Sequence, residues 1–130
     1  MNRTRIVTAS LLALSLLLGA ALNAQASPSN KWRLQFSGKA DSDGVITITV
    51  HPKGGTPITT AIPVEDNTGE NAVAKTVVKG LKANLPKKAY HVERDDGEDV
   101  LVKKRHGAAN FDLTIDSNTV KGVRINPDRE

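Results

Sequence analysis

Apolar and polar side chains alternate with a period of two in five stretches between residues 32 and 115, and between the second and third of these the period rises to near four. Trp32, Leu34 and Phe36 alternate with Arg33, Gln35 and Ser37. In the β-branched run Val45–Val50, Ile46, Ile48 and Val50 share one face while Thr47 and Thr49 share the other. Tyr90, Val92 and Arg94 alternate with His91 and Glu93, and Val100 and Val102 share a face of Asp99–Arg105. Phe111, Leu113 and Ile115 alternate with Asp112 and Thr114. Successive strand residues point to opposite faces, so the pattern predicts half-buried strands. Val120–Ile125 is expected as a last strand before a polar tail, Asn126–Glu130. Thr56–Val64 is a weaker extended piece that Pro57 and Pro63 confine to a sheet edge, because proline cannot donate to a ladder.

The period-four stretch is Val73, Val77, Leu81 and Leu85, widened by Ala74 and Val78, with Lys75, Lys79 and Lys82 on the other side. It predicts one amphipathic helix over about 69–84, laid on the sheet. Asp66 or Thr68 is expected to cap it, Glu70 suits the positive end of its dipole, and Asn84 and Pro86 end it. Gly80 within it implies close backbone packing or a frayed last turn. Asp41-Ser42-Asp43-Gly44 reads as a turn, with Gly44 free to take positive φ, joining the first two strands in an antiparallel hairpin. Asp95-Asp96-Gly97-Glu98 reads as a second hairpin turn. The expectation is an α+β domain: a mainly antiparallel sheet of about five to seven strands with one helix on one face.

Ahead of these elements, Arg3 and Arg5 precede an uncharged run from Ile6 to Leu22, and Ala24 and Ala26 precede Ser27-Pro28. That is the layout of a cleavable secretory signal over residues 1–26, with an exported domain over 27–130, periplasmic or extracellular. The run is at the short end for a bilayer span, and no membrane insertion is expected after cleavage. Export permits disulfides, yet the chain has no cysteine, so packing and ladders alone must stabilise it. Removing Arg3 and Arg5 lowers the formal charge from +4 to +2, a balance with no strong pull towards nucleic acid.

Candidate chemistry is sparse. Asp41-Ser42-Asp43-Gly44 lacks the closing acidic ligand of a calcium loop, with Lys39 before it and β-branched residues after. Asp95, Asp96, Glu98 and Asp99, with Glu93 nearby, are the candidates for a divalent cation, set against a solubilising turn with splayed carboxylates. His51, His91 and His106 lack metal-site spacing, and no nucleophile-elbow glycines surround Ser37, Ser42 or Ser117. Lys103-Lys104-Arg105-His106 is split between faces by alternation, and of the aromatics only Tyr90 lies outside the expected core. No enzyme activity and no cofactor are expected. The expected action is protein–protein contact, by self-assembly or docking to an envelope partner. Thr59 and Thr60, with Val120, Val123 and Ile125, mark the sheet edges that would make it. The alternatives are a small ligand or divalent cation, bound at the Asp95–Asp99 turn or between helix and sheet, and inhibition of a secreted enzyme.

The stretch Gly44–Asn84 resembles a module of phage tail-sheath-like proteins: the strand Gly44-Val45-Ile46-Thr47-Ile48-Thr49-Val50, a Thr/Pro/Val segment, a Thr-led cap, and an Ala/Val helix ending at Ala83-Asn84. Asp66-Asn67-Thr68-Gly69 stands where that pattern has a glycine-led cap. The resemblance implies an assembly module of this topology.

Overall fold

The computed structural model describes residues 28–130, so the expected signal over 1–26 lies outside the described residues. Among the described residues seven strands and one helix follow in the order β1 (Lys31–Ser37), β2 (Gly44–Pro52), β3 (Ile58–Val64), α1 (Glu70–Asn84), β4 (Tyr90–Asp95), β5 (Asp99–Lys104), β6 (Phe111–Asn118) and β7 (Arg124–Arg129). The fold is α+β, every strand pairing is antiparallel, and the helix packs against the strands. The strands divide into two sheets, one ordered β4-β5-β1-β7 and the other β3-β2-β6. They meet at a corner, where Ser29 bridges to Phe111 and the Trp32 indole N–H donates to the Phe111 carbonyl at 2.9 Å. Helix α1 reaches both sheets, packing on β3 of one and on β4, β5 and β1 of the other.

Alternation places the core as expected. Leu34 and Phe36, Ile46, Ile48 and Val50, Val100 and Val102, and Phe111 and Leu113 close over Val73, Val77 and Leu81 of the helix. Tyr90, expected outside the core, is buried, and its ring meets Phe111 edge-on at 5.2 Å. Gly80 is a packing residue: a β-carbon there would lie 2.9 Å from Ile62 Cγ1. The helix starts at Gly69 without a side-chain cap; Thr68 Oγ1 donates instead to the Glu65 carbonyl.

The expected β1–β2 hairpin does not form, and the two strands belong to different sheets. The segment between them is held by remote partners that outbid a local turn. Ala40 N–H donates to the Thr68 carbonyl and Asn67 N–H to the Ala40 carbonyl, each at 2.8 Å, while Asp41 N–H donates to the Lys121 carbonyl at 2.7 Å. Gly38 (φ 84) and Gly122 (φ 85) meet backbone to backbone where the segment crosses the β6–β7 loop. Gly44 has no left-handed φ; it is required because a β-carbon would lie 2.7 Å from the Val120 nitrogen. The expected last strand is displaced as well. Val120 and Val123 are buried in a loop, and the expected polar tail forms most of β7, paired with β1 from Trp32↔Arg129 to Ser37↔Arg124. Among the described residues no helix is long and apolar enough to cross a membrane.

Candidate functional site

Two clusters of functional groups flank β4. The first lies on the outer face of the four-stranded sheet. Register places Arg33 opposite Leu101 of β5 and Asp128 of β7, so its side chain stands among outward-facing residues of both neighbours. Its Nη1 donates to Asp99 Oδ2 at 2.8 Å and to Asp95 Oδ2 at 3.1 Å, and its Nε donates to Glu130 Oε2 at 3.0 Å. Lys31 adds a contact to Glu130 at 3.1 Å. These partners, Glu130 foremost, then Asp99 and Asp95, raise the proton affinity of the guanidinium. Arg33, then Lys31, holds the Glu130 carboxyl below its ordinary value. Beside them Lys103, then His91, lowers the Glu93 carboxyl in the same way.

This arrangement alters the expected picture of a splayed acidic tip. Asp95 and Asp99 converge on a guanidinium, which occupies the position a cation would need. Asp96 (φ 48) and Gly97 (φ 80) form the left-handed turn, and Glu98 closes it through an N–H bond to the Asp96 carbonyl at 2.9 Å. Among the described residues no group of three or more histidines and carboxylates is placed to hold a metal ion.

The second cluster is a groove of about 580 Å³ between the end of α1 and the free side of β4. Leu85, Tyr90 and Val92 supply its buried apolar lining, and Ala83 extends it. Lys82, Lys87, Arg105 and His91 also line it, and no acidic residue does. Among the described residues, Lys82, Lys87 and Arg105 have no carboxylate partner, whereas Lys31, Arg33 and Lys103 each have one. Arg105 is held from behind: its Nε donates to the Lys87 carbonyl at 2.7 Å and the Tyr90 carbonyl at 3.3 Å, and its backbone N–H donates to the Ala89 carbonyl at 2.7 Å. Burial pushes the Tyr90 hydroxyl above its ordinary value.

The groove borders an open sheet edge. The Arg105–Ala89 bond sets the phase of the β4–β5 ladder. In an antiparallel pair hydrogen-bonded and non-bonded positions alternate, so the backbone groups of Tyr90, Val92 and Arg94 point away from β5. Those of Tyr90 are engaged, its N–H by the Pro86 carbonyl at 3.1 Å and its C=O by Arg105. Those of Val92 and Arg94 have no partner among the described residues.

The other edges are interrupted, none offering, among the described residues, two successive outward residues with all their backbone groups free. On β3 the same phase argument sends the groups of Thr59, Ala61 and Pro63 outward. Asn84 Nδ2 occupies the Thr59 carbonyl at 3.1 Å and Pro63 has no N–H to offer, so Ala61 is the one outward residue of β3 with both backbone groups free among the described residues. On β7 the Glu130 N–H bond to Lys31 sends the groups of Ile125, Pro127 and Arg129 outward, and Pro127, with no N–H to offer, interrupts that row at its middle. On β6 the Leu113 N–H turns to its neighbour Asp112 Oδ1 at 3.0 Å, and Phe111 is taken by Ser29.

The expected edge residues are thus dispersed. Thr59 is exposed at the β3 edge with its carbonyl taken, and Thr60 is buried, its hydroxyl 2.8 Å from Asn84 Nδ2. Val120 and Val123 are core residues of a loop. Ile125 sits half-buried on β7, packed against the core. A pocket between helix and sheet is one of the expected alternatives, but sequence reading could not name its residues, which come from the helix end, the Lys87–Lys88 turn and a strand that returns only after the hairpin. The available signal was the unpaired basic pair Lys87-Lys88 beside the helix stop. No protein-family model matches this chain, and no curated protein matches it.

Proposed function

We propose that this chain is an exported, non-catalytic domain that acts by protein contact, taking an extended segment of a partner as an added strand on β4. The observation that carries this reading is the pairing of a free stretch of edge, Val92 to Arg94, with an apolar groove beside it. Free backbone groups at Val92 and Arg94 supply the ladder, and the groove lined by Leu85, Tyr90 and Val92 receives alternate side chains. The interruptions on β3, β6 and β7 support the choice of β4, because a ladder pairs most readily where successive outward residues, here Val92 and Arg94, are both free. The likeness of Gly44–Asn84 to tail-sheath-like modules supports action by chain-to-chain contact in general.

The test is a proline at Arg94. Arg94 is exposed, and its N–H points away from β5, so the substitution removes a donor from the open edge and leaves the β4–β5 ladder intact. Arg94→Ala controls for the lost charge, and circular dichroism checks the fold. The protein is screened against bead-bound random octapeptides. Binders that persist with Arg94→Ala and are lost with Arg94→Pro support strand addition. A screen that yields no binder with this behaviour overturns it.

A further inference from the structure

We infer that the groove at the start of β4 reads a carboxylate at the C-terminal end of the added segment, an inference that rests on the strand-addition reading above. Three cationic side chains, Lys82, Lys87 and Arg105, line one small apolar groove, with no acid among its lining residues. The described residues as a whole carry a net charge of only +2, so this concentration is local. Elsewhere on the sheet Arg33 and Lys103 are matched to carboxylates, Lys104 and Arg124 line hollows that also contain acidic residues, and Arg94 and Arg129 have no carboxylate partner among the described residues. In the groove that match is missing, and an anion with apolar surroundings completes it.

Geometry gives the anion a place along the segment. An added strand can pair with Arg94 and Val92 but must stop at Tyr90, whose N–H and C=O are engaged by Pro86 and Arg105. The segment therefore ends where Arg105, Lys87 and Lys82 gather. An antiparallel segment brings its C-terminal end to that point, whereas a parallel one brings its N-terminal end. A free ammonium there would face three like charges, so the antiparallel arrangement with a carboxylate is favoured. The buried surfaces of Leu85 and Val92 then receive an apolar side chain next to the carboxylate. The carboxylate can belong to the chain terminus or to the side chain of a last Asp or Glu, and the experiment separates these sources.

The protein is screened against two bead libraries of random octapeptides tethered at their N-termini, one ending in free acids and one in amides. Free-acid binders are expected to lose about tenfold or more in affinity on amidation, the range of a charge-assisted hydrogen bond left unmade. They are also expected to weaken severalfold with Lys87→Ala and with added salt. Amide binders that all carry Asp or Glu in last place support the carboxylate and assign it to a side chain. Amides without an acidic last residue that bind within twofold of their free acids overturn the inference, provided Arg94→Pro still abolishes binding. If Arg94→Pro leaves binding unchanged, strand addition itself fails.

Discussion

Replacing Arg33 with methionine removes the cation that, among the described residues, satisfies the buried Asp99 carboxylate. The Asp99 side chain is 7% exposed, its Oδ1 has no hydrogen-bond partner among the described residues, and Oδ2 is held by Arg33 Nη1 at 2.8 Å. The contact to Asp95 is made by a side chain 41% exposed, and such a pair contributes about 0–1 kcal/mol, while the contact to Glu130, just past the end of β7, is screened by solvent. Most of the effect therefore comes from stranding Asp99. Breaking a fully buried pair costs about 3–5 kcal/mol, and Arg33, at 21% exposure, is not fully buried, so about 2–3 kcal/mol is expected. For a domain of this size that lowers Tm by on the order of 10 °C. Thermal and urea melts of Arg33→Met, Asp99→Leu and the double variant form the assay. The double variant should lose about 2 kcal/mol less than the sum of the singles, because apolar replacement of both partners removes the stranded charge. Additivity within about 0.5 kcal/mol would refute the reasoning.

Three further outcomes follow from particular residues. Gly38→Ala should destabilise by at least about 3 kcal/mol, because its left-handed φ is joined to a backbone collision with Gly122; Gly54→Ala, left-handed but with open space around it, should cost about 1 kcal/mol, both read from urea midpoints. The raised Tyr90 hydroxyl contributes stability that is complete below its unfolded value near 10 and is lost as pH rises through the folded value. Tyr90→Phe should therefore show a shallower loss of stability above about pH 10 than the parent protein. Asn84→Ala frees the Thr59 carbonyl at the β3 edge, so a molar mass that grows with concentration is expected from light scattering, against a constant mass for Asn84→Gln if the longer amide still reaches it.

What could be read from the sequence was local. β-branched alternation located β2, the period-four stripe located α1 to within a residue of its observed start, and the alternate faces of β1, β5 and β6 named most of the core. These hold because a side chain's face follows from backbone periodicity alone. Strand partnership does not. Nothing in Asp41-Ser42-Asp43-Gly44 says that Ala40 will bond to the pre-helix turn and Asp41 to Lys121, so a credible hairpin gives way to a crossing between sheets. The same limit hid β7, whose charged and proline-bearing sequence reads as a tail until β1 supplies a ladder and Arg33 receives Glu130.

The candidate site divides along the same line. The sequence by itself determined an α+β chain of alternating strands with one amphipathic helix, free of cysteine, because composition and periodicity are properties of neighbouring residues. Only the tertiary structure decided which strands share a sheet, which edge stays open and which cations remain without a carboxylate. Those depend on residues far apart in the chain: Arg33 finds Asp99 and Glu130, while Lys82, Lys87 and Arg105 are gathered by packing around one groove. The physical reason is that alternation specifies a face for each side chain, whereas long-range hydrogen bonds and close backbone contacts choose the neighbour on it.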